Sequence, residues 1–500
     1  MCGICGLIDI RGNRQISLQD ATKRMTDLLA HRGPDASGIW HDKGISLGHR
    51  RLSIIDLEGS VQPMVDSTGR YVIVFNGEIY NYVEIRSELK KRGIEFRTNG
   101  DTEVLLQSFI IYGTRCLELL NGMFAFAIWD RQTRTLFAAR DRLGVKPFYY
   151  GIDTNGFFAF SSELQAMRSL PFDFSIKASA LNSFLKNGFI RSPDTIFNGV
   201  NELRPAHFII FGDRGLRIER YWSPPFPSRE MGEKGETVLL QELEELVLSS
   251  VKLRLRSDVD LGAFLSGGLD SSVIVAAMKK IGTTDIHTFS IGFDSSSFDE
   301  SPYAREVAQY LGTIHHEKKE SLDPATLLLD LVKHYGQPYG DSSAIPTWHL
   351  CKETKRYVTV ALSGDGGDEL FCGYRRYLAR RFLSLYRKIP AGLRHHLINR
   401  LIKKLPETTE YYDKSLIKKL RLFAELDKRV SKDPSDIYPA YFVDDERERL
   451  LGGKVSMDEE TNGMAEWFQR HDNMSDIDLM MRADILYYPP DDILTKVDRA

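Results

Sequence analysis

Cys2 lies one residue from the start of the chain. Removal of Met1, which so small a second side chain permits, would leave a thiol and a free α-amine on one residue. The amine titrates at about 7.7–8.0 and a thiol near about 8.5, so the amine can act as base at neutral pH. A terminal amine that activates its own nucleophile is a route to covalent catalysis. A lone Cys2 would otherwise read as a small buried residue. Far along the chain, Ala263-Phe264-Leu265-Ser266-Gly267-Gly268-Leu269-Asp270-Ser271-Ser272 falls between an expected strand and an expected helix. That context suits phosphate, because backbone N–H groups and a helix N-terminus face the anion and glycines permit close approach. No G-x-x-x-x-G-K-[ST] occurs, so this is not a Walker loop. Asp270 is a poor neighbour for phosphate unless a cation intervenes, which implies Mg²⁺. A second turn, Ser363-Gly364-Asp365-Gly366-Gly367-Asp368-Glu369, ends the strand expected at Leu362. By itself it reads as a flexible turn or a helix start; its place after a parallel strand favours a site shared with the first loop.

Cys2 has company. Met1-Cys2-Gly3-Ile4 is followed in order by His31-Arg32-Gly33-Pro34-Asp35, Arg51-Leu52-Ser53-Ile54-Ile55-Asp56, Asn76-Gly77-Glu78-Ile79-Tyr80-Asn81 and Gly100-Asp101-Thr102-Glu103. Together these resemble the class II glutamine amidotransferase domain, an amino-terminal-nucleophile (Ntn) hydrolase of stacked β-sheets. The resemblance implies that Cys2 attacks the side-chain amide of glutamine. The oxyanion so formed needs donors set in advance where charge develops, a task that the resemblance gives to the Asn76 amide and the Gly77 N–H. Arg51 suits the α-carboxylate of glutamine as a bidentate donor, and Glu78 and Asp101 suit its α-ammonium group. Taken singly, Asn-Gly is a hairpin turn and Arg-Gly-Pro-Asp is turn chemistry. His31–Asp35 is therefore expected to be mainly a shaped loop near the site.

The Ser-Gly-Gly-x-Asp-Ser run resembles the loop of ATP pyrophosphatases, which split ATP into AMP and pyrophosphate. Behind a glutaminase domain, both loops resemble the glutamine-hydrolysing asparagine synthetase family, as does Asp491-Asp492-Ile493-Leu494-Thr495-Lys496-Val497-Asp498-Arg499-Ala500. That resemblance implies that Ser266, Gly267, Gly268, Asp270, Ser271 and Ser272 hold the pyrophosphate portion of ATP. It puts Asp270 and Asp368 on Mg²⁺, Leu265 and Ile291 against the adenosine, and Ser363 and Gly364 beside it. Asp365 takes the place of a carboxylate important for an aspartyl-adenylate. Glu163 and the domain interface become candidates for an ammonia route. The implied reaction is amidation of aspartate by ammonia from glutamine, through a Cys2 thioester and β-aspartyl-AMP. Two departures bear on the acceptor. The Asp365 position is Glu in some asparagine synthetases, and Asp has a shorter reach; this loop type also occurs among relatives, which leaves as an alternative the same machinery amidating a different carboxylate, such as a sugar acid or a peptide carboxylate. The chain also stops at Ala500 inside a helix expected from Asp491 without a stop signal; the resemblance implies that part of the acceptor pocket and a pyrophosphate-binding lysine lie beyond it. Other readings are ring closure by the ATP domain, for which a glutamine site would be pointless, and a non-catalytic glutamine and ATP sensor. Phosphosugar-binding class II amidotransferases lack the Ser266–Ser271 loop.

The elements that must position these groups fall into two patterns. Ile45–Ile55, Tyr71–Phe75, Phe124–Trp129, Thr135–Ala139, Phe148–Gly151, Phe157–Ser161 and His207–Phe211 suit strands, and Asp20–Ala30 and Thr102–Tyr112 carry helical spacing. Residues 1–222 thus read as an α+β domain. A Pro- and Gly-rich linker over 223–237 follows. From 238 to 500, strands at Val259–Leu265, Ile286–Phe293 and Tyr357–Leu362 alternate with helices at Val238–Arg254, Ser271–Ile281 and Ser301–Leu311, with two more helical stretches before the last strand. Alternation implies an α/β domain with a parallel sheet and a ligand site at the strands' carboxyl ends.

Composition narrows the partners. With 42% apolar and 27% charged residues and a net charge of -3, nothing calls for nucleic acid or an anionic surface. No apolar run approaches the roughly 20 residues of a membrane helix, and no signal peptide shows at the N-terminus. The expected partners are glutamine, aspartate and ATP; a homodimer is left open. Five scattered cysteines argue against a disulfide framework and for a reducing cytoplasm. Cys2 and Cys5 lack the second ligand pair of a zinc site. The Arg375–Lys404 stretch, with ten Arg and Lys, reads as the solvated face of amphipathic helices or as a membrane-surface or partner-docking helix.

Overall fold

A computed structural model describes residues 1–12, 16–225, 234–293, 299–320, 324–394, 440–452 and 474–500, with Phe423, Leu426, Asp427, Val430, Tyr438 and Trp467 between them. The amino-terminal strands are β1 (Gly3–Asp9), β2 (Ala36–Asp42), β3 (Ile45–Arg51), β4 (Met64–Val65), β5 (Tyr71–Ile79) and β6 (Gly122–Asp130). They continue with β7 (Thr135–Arg140), β8 (Tyr149–Ile152), β9 (Phe157–Ser161), β10 (Asn201–Glu202), β11 (His207–Gly212) and β12 (Gly215–Arg220). These form two six-stranded antiparallel sheets, in the orders β10-β8-β9-β1-β3-β2 and β12-β11-β7-β6-β5-β4.

Alternating side chains explain how the sheets stack. Ile4, Ile8, Leu47 and Phe160 of one sheet meet Val72, Val74, Ala127 and Ile209 of the other in a buried core. The opposite faces are covered too. Met25 and Leu29, from the Leu18–Leu28 helix and its end, pack on Cys5, Leu7 and Ala159. Ile85, Leu89, Val104 and Leu105, from the Tyr82–Lys91 and Asp101–Tyr112 helices, pack on Ile73, Phe75 and Phe126. Helix, sheet, sheet and helix are therefore the layers, the stacked-sheet α+β architecture expected of this part. The helices expected at Asp20–Ala30 and Thr102–Tyr112 run over Leu18–Leu28, where the Ser17 hydroxyl accepts from the Asp20 N–H at 3.2 Å, and over Asp101–Tyr112. Tyr82–Lys91 and Ala178–Asn187 are additional helices.

The carboxyl-terminal part holds a sheet of β13 (Leu261–Phe264), β14 (His287–Phe293), β15 (Ile314–Glu320) and β16 (Val360–Leu362), in the order β15-β14-β13-β16. All three pairings are parallel. The chain steps outward from β13 to β14 and β15, then returns to the far side of β13 as β16. That reversal makes a switch point between β13 and β16, where the strands' carboxyl ends leave a crevice. β15 was not expected; its sequence, IHHEKKE, lacks the apolar signal of a covered strand. Residues 226–233 of the expected linker and 395–404 of the basic stretch lie outside the described residues. Within 375–394 the solvated-face reading holds for Arg375, Arg381 and Lys388, which are exposed, and needs correction at three other arginines. Arg376 pairs with buried Asp484 at 3.0 Å, and Arg387 and Arg394 pair with buried Asp427 at 3.2 and 2.6 Å.

The two halves are tied together directly. The Asp258 N–H donates to the Ile54 carbonyl at 2.9 Å, and the Asp56 N–H to Asp258 Oδ2 at 2.7 Å. Arg256 reaches the Tyr80 carbonyl and Glu84, each at 2.6 Å.

Candidate active site

β1 starts at Gly3, so Cys2 sits at the end of a central strand beside β3. Its sulfur accepts from the Leu52 N–H at 3.4 Å. Burial pushes the Cys2 thiol up despite the terminal amine, Leu52, Arg51 and Arg32 nearby, so a base is needed to make it a thiolate. Cys5, three residues on, points into the core with its sulfur 3.4 Å from Thr26 Oγ1, and burial pushes its thiol up to about 12. One cysteine faces chemistry and the other faces packing.

Asn76 and Gly77 lie side by side on β5. The Asn76 side chain is fully buried, and neither amide atom has a hydrogen-bond partner among the described residues. Buried amides are nearly always paired, so the Asn76 amide has bonding capacity to offer a ligand. Gly77 has φ +151°, and a Cβ there would stand 2.1 Å from the Met123 carbonyl oxygen; only glycine fits. Asp101 opens the Asp101–Tyr112 helix and accepts the Ile79 N–H at 2.9 Å. Burial, then the neighbouring Asp101, pushes the Glu78 carboxyl up to about 7, and burial pushes Asp101 up to about 6. Two buried acids side by side suit a cationic group. Arg51 reaches the same space but donates to the carbonyls of Leu57 at 2.8 Å, Asp56 at 2.6 Å and Ile55 at 3.3 Å. It shapes the 52–57 loop as well as having N–H groups left for a ligand.

His31–Asp35 is more than a shaped loop. Arg32 Nε donates to the Cys2 carbonyl at 2.8 Å, the Asp35 N–H pairs with the Arg51 carbonyl at 3.0 Å, and Asp35 Oδ2 accepts the Ser53 N–H at 2.8 Å. The loop clamps Cys2 against β3.

At the switch point, Gly268 caps the Leu269–Ile281 helix, whose N-terminus meets the loop after β13. Ser271 Oγ accepts the Ser266 N–H at 3.2 Å and lies 3.0 Å from Ser266 Oγ, while Ser272 Oγ donates to the Gly268 carbonyl at 2.7 Å. Gly267 has φ +80°, and a Cβ there would stand 2.5 Å from the backbone of Tyr303. The two loops touch: a Cβ on Gly364 would lie 2.8 Å from the Ser271 nitrogen, and one on Gly367 2.5 Å from Asp270 Cγ. Burial, with the Asp368 charge, pushes the Asp270 carboxyl up, which places both acids in one field. Burial, with the Asp365 charge nearby, pushes the Cys351 thiol up to about 12.

One continuous cavity of about 3050 Å³ joins the two ends. Cys2, Arg51, Asn76, Gly77, Glu78 and Asp101 line it on the amino-terminal side. Leu265, Ser266, Asp270, Ser271, Ile291, Ser363, Gly364, Asp365 and Asp368 line it on the other. Gly267, Gly268 and Ser272 do not line it; they shape the loop behind Ser266 and Ser271.

Sequence reasoning named Glu163 at the boundary but missed how the charges there pair. Arg32 holds Asp498 through two bonds of 2.8 and 3.0 Å, and Glu163 pairs with Arg499 at 2.7 Å, Arg32 at 3.1 Å and His31 at 3.0 Å. Lys146 stands 3.5 Å from Asp498. All of these line the cavity. Arg32 and Asp498 both sat in quoted motifs, but nothing in either motif announces the other.

A stacked-sheet domain with a cysteine at position 2, sharing a cavity with a parallel-sheet domain that carries a glycine-rich loop at its switch point, has a two-domain amidotransferase and synthetase architecture. Comparison with known families agrees: residues 1–222 match the glutamine amidotransferase domain, and residues 242–500 match asparagine synthase. The chain belongs to the asparagine synthase family. It is 38% identical over 404 residues to "Asparagine synthetase [glutamine-hydrolyzing] 1" of Bacillus subtilis, covering 80% of this chain and 63% of that one. It is 39% identical over 420 residues to "Putative asparagine synthetase [glutamine-hydrolyzing] 2" of Methanocaldococcus jannaschii, covering 79% of each. A third relative, "Asparagine synthetase [glutamine-hydrolyzing] 3" of B. subtilis, is 39% identical over 402 residues, 75% of this chain and 63% of that one. The chain thus spans a little under two thirds of the length of the two B. subtilis relatives. No helix among the described residues is long and apolar enough to cross a membrane.

Proposed function

We propose that the protein makes asparagine from aspartate, using ATP for activation and glutamine as the nitrogen source. Residues 1–222 would act as the glutaminase and 238–500 as the synthetase, joined by 223–237. The observation that carries this reading is the single cavity lined by Cys2, Asn76 and Asp101 on one side and by Ser266, Asp270 and Asp365 on the other. Ammonia made in it need not enter bulk water, where protonation would disable it as a nucleophile.

The glutaminase step follows from the first group. Loss of Met1 would free the Cys2 amine to take the thiol proton. The thiolate then attacks the side-chain amide carbon of glutamine, with the Asn76 amide and the Gly77 N–H receiving the oxyanion. Arg51 holds the α-carboxylate, and Glu78 and Asp101 hold the α-ammonium. The C–N bond breaks, ammonia leaves with the thiol proton, and water cleaves the thioester to glutamate.

In the other half, Ser266, Ser271 and the helix N-terminus receive the phosphates of ATP, with Leu265 and Ile291 against the adenosine and Ser363 and Gly364 beside it. Asp270 and Asp368 fit a Mg²⁺ that takes its remaining ligands from phosphate and water, since Mg²⁺ is typically bound by one or two carboxylates plus substrate phosphates. When bound, Mg²⁺ would neutralise phosphate charge. An oxygen of the aspartate β-carboxylate attacks the α-phosphorus and pyrophosphate departs. Ammonia then attacks the activated carbonyl and AMP leaves. Asp365 would steer the adenylate. The scattered cysteines put this chemistry in a reducing cytoplasm.

The test is the full-length protein with Mg·ATP, glutamine and a panel of carboxylic acids, scoring pyrophosphate and amide by mass spectrometry. Asparagine formed with aspartate alone supports the reading. Amide formed only from another acid would keep the machinery and replace the acceptor, an outcome that the short reach of Asp365 makes worth seeking. Pyrophosphate with none of them would remove the synthetase reading.

A further inference from the structure

The synthetase half ends, among the described residues, in a short helix, Ile493–Arg499, that reaches the nucleophile of the other half. Asp498 on that helix is buried and grips the Arg32 guanidinium with both oxygens, at 2.8 and 3.0 Å. Arg32 Nε then donates to the Cys2 carbonyl at 2.8 Å. The remaining contacts fix the same guanidinium: Glu163 at 3.1 Å, itself held by Arg499 at 2.7 Å. Burial opposes a charge on Asp498, and Arg32, Lys146 and Arg499 outweigh it, holding the carboxyl well below the usual carboxylate range. The helix is fixed at the synthetase side as well. Lys496 Nζ donates to Ser343 Oγ at 2.7 Å and pairs with Asp341 at 3.1 Å, and Asp492 accepts from the Tyr339 hydroxyl at 2.8 Å.

We propose that Asp498 is a positioning residue for glutamine hydrolysis: it orients Arg32 across the domain boundary, and Arg32 fixes the backbone of Cys2. The argument is one of distribution. The groups assigned to hold glutamine, Arg51, Glu78 and Asp101, stand on β3, β5 and the Asp101–Tyr112 helix. The fork from Asp498 ends on the nucleophile's own main chain. Asp498 therefore governs attack rather than affinity. A shift of even about 1 Å in a nucleophile can cost on the order of 100-fold in rate. The inference rests on Cys2 being the nucleophile.

Steady-state glutaminase kinetics on the full-length protein test it, with ammonia-dependent amide synthesis as the control. Asp498→Asn keeps the shape, removes the charge and turns one acceptor into a donor facing Arg32. The expected result is a kcat for glutamine hydrolysis lowered by about 10- to 100-fold, with KM and ammonia-dependent synthesis within about threefold of the parent. Arg32→Lys, which keeps a cation for Asp498 but has no Nε donor for Cys2, should give the same split. The double variant should lose no more than the worse single one, because the two act as one unit. Three results overturn the proposal: equal loss of both activities, a raised KM with unchanged kcat, or losses that multiply in the double variant. Should Asp498→Asn not fold, Arg32→Lys decides alone, and an unchanged kcat there overturns the link. A parent protein that releases no glutamate from glutamine sinks the nucleophile reading itself, which distinguishes that failure from a normal Asp498→Asn.

Discussion

Glu78 and Asp101 show how a residue type acquires a task from its surroundings. On the surface each would be a carboxylate at neutral pH, but here burial raises them to about 7 and about 6. On the proposed reading a ligand ammonium would be held by their charged forms, so binding should be favoured above these values and lost as pH falls through them. The KM for glutamine should rise on the order of tenfold between about pH 7.5 and 5.5. Glu78→Gln should flatten the upper part of that rise, and an unchanged profile would remove Glu78 from the ligand. Cys2→Ala should abolish glutamine-dependent amide while ammonia-dependent amide persists; loss of both would undo the role of Cys2. Cys2 could be singled out from sequence because its chemistry depends on chain position. Arg32 could not, since its partner Asp498 is 466 residues away.

At the scale of elements, glycines set the distance between the two loops. A methyl group on Gly364 would fall 2.8 Å from the Ser271 backbone. Overpacking of this kind typically costs about 1–3 kcal/mol, so Gly364→Ala should slow pyrophosphate release roughly tenfold while glutaminase turnover persists. Equal loss of both would point to a general folding defect. The strands were readable where both faces are covered: β6 and β9, with sequences GMFAFAIWD and FFAFS, announce themselves. β2, β12 and β15 do not, and each is the last strand of its sheet. β12 reads GLRIER and β15 IHHEKKE, and an edge strand with polar side chains carries little hydrophobic pattern. β1 escaped notice for another reason: glycines at 3 and 6 dilute its β signal, although the strand is wholly buried.

At the scale of the molecule, the boundary is built from charge. Burial opposes ionisation of Glu163, and Arg499, His31 and Arg32 outweigh it, lowering its carboxyl from 4.5 to about 2. A depressed acid contributes stability that is present above its unfolded value and lost as pH falls through its folded one. The thermal midpoint should therefore drop between about pH 4.5 and 2 in the parent. Glu163→Gln should start lower at neutral pH, because Arg32 and Arg499 lose a counter-charge, and then fall less steeply in that window. Parallel curves would show that the pair adds nothing. The shared cavity makes a different prediction. With glutamine labelled at its amide nitrogen and unlabelled ammonium in solution, the product amide should carry more label than the bulk pool; equal labelling would show that ammonia escapes first.

The amino-acid sequence by itself determined a cysteine at position 2 ahead of the amidotransferase motifs, two glycine-acid loops after strands and the change from stacked to alternating elements. Each of these is written in contiguous residues, where turn chemistry, periodicity and helix-end geometry act over a few positions. Only the tertiary structure decided that Cys2 and Asp365 share one cavity, that the buried Asn76 amide has no partner among the described residues, and that Asp498 reaches Cys2 through Arg32. Such contacts depend on how two domains dock, because a buried ion pair offsets its desolvation only where docking brings opposite charges into good geometry, whatever their separation along the chain.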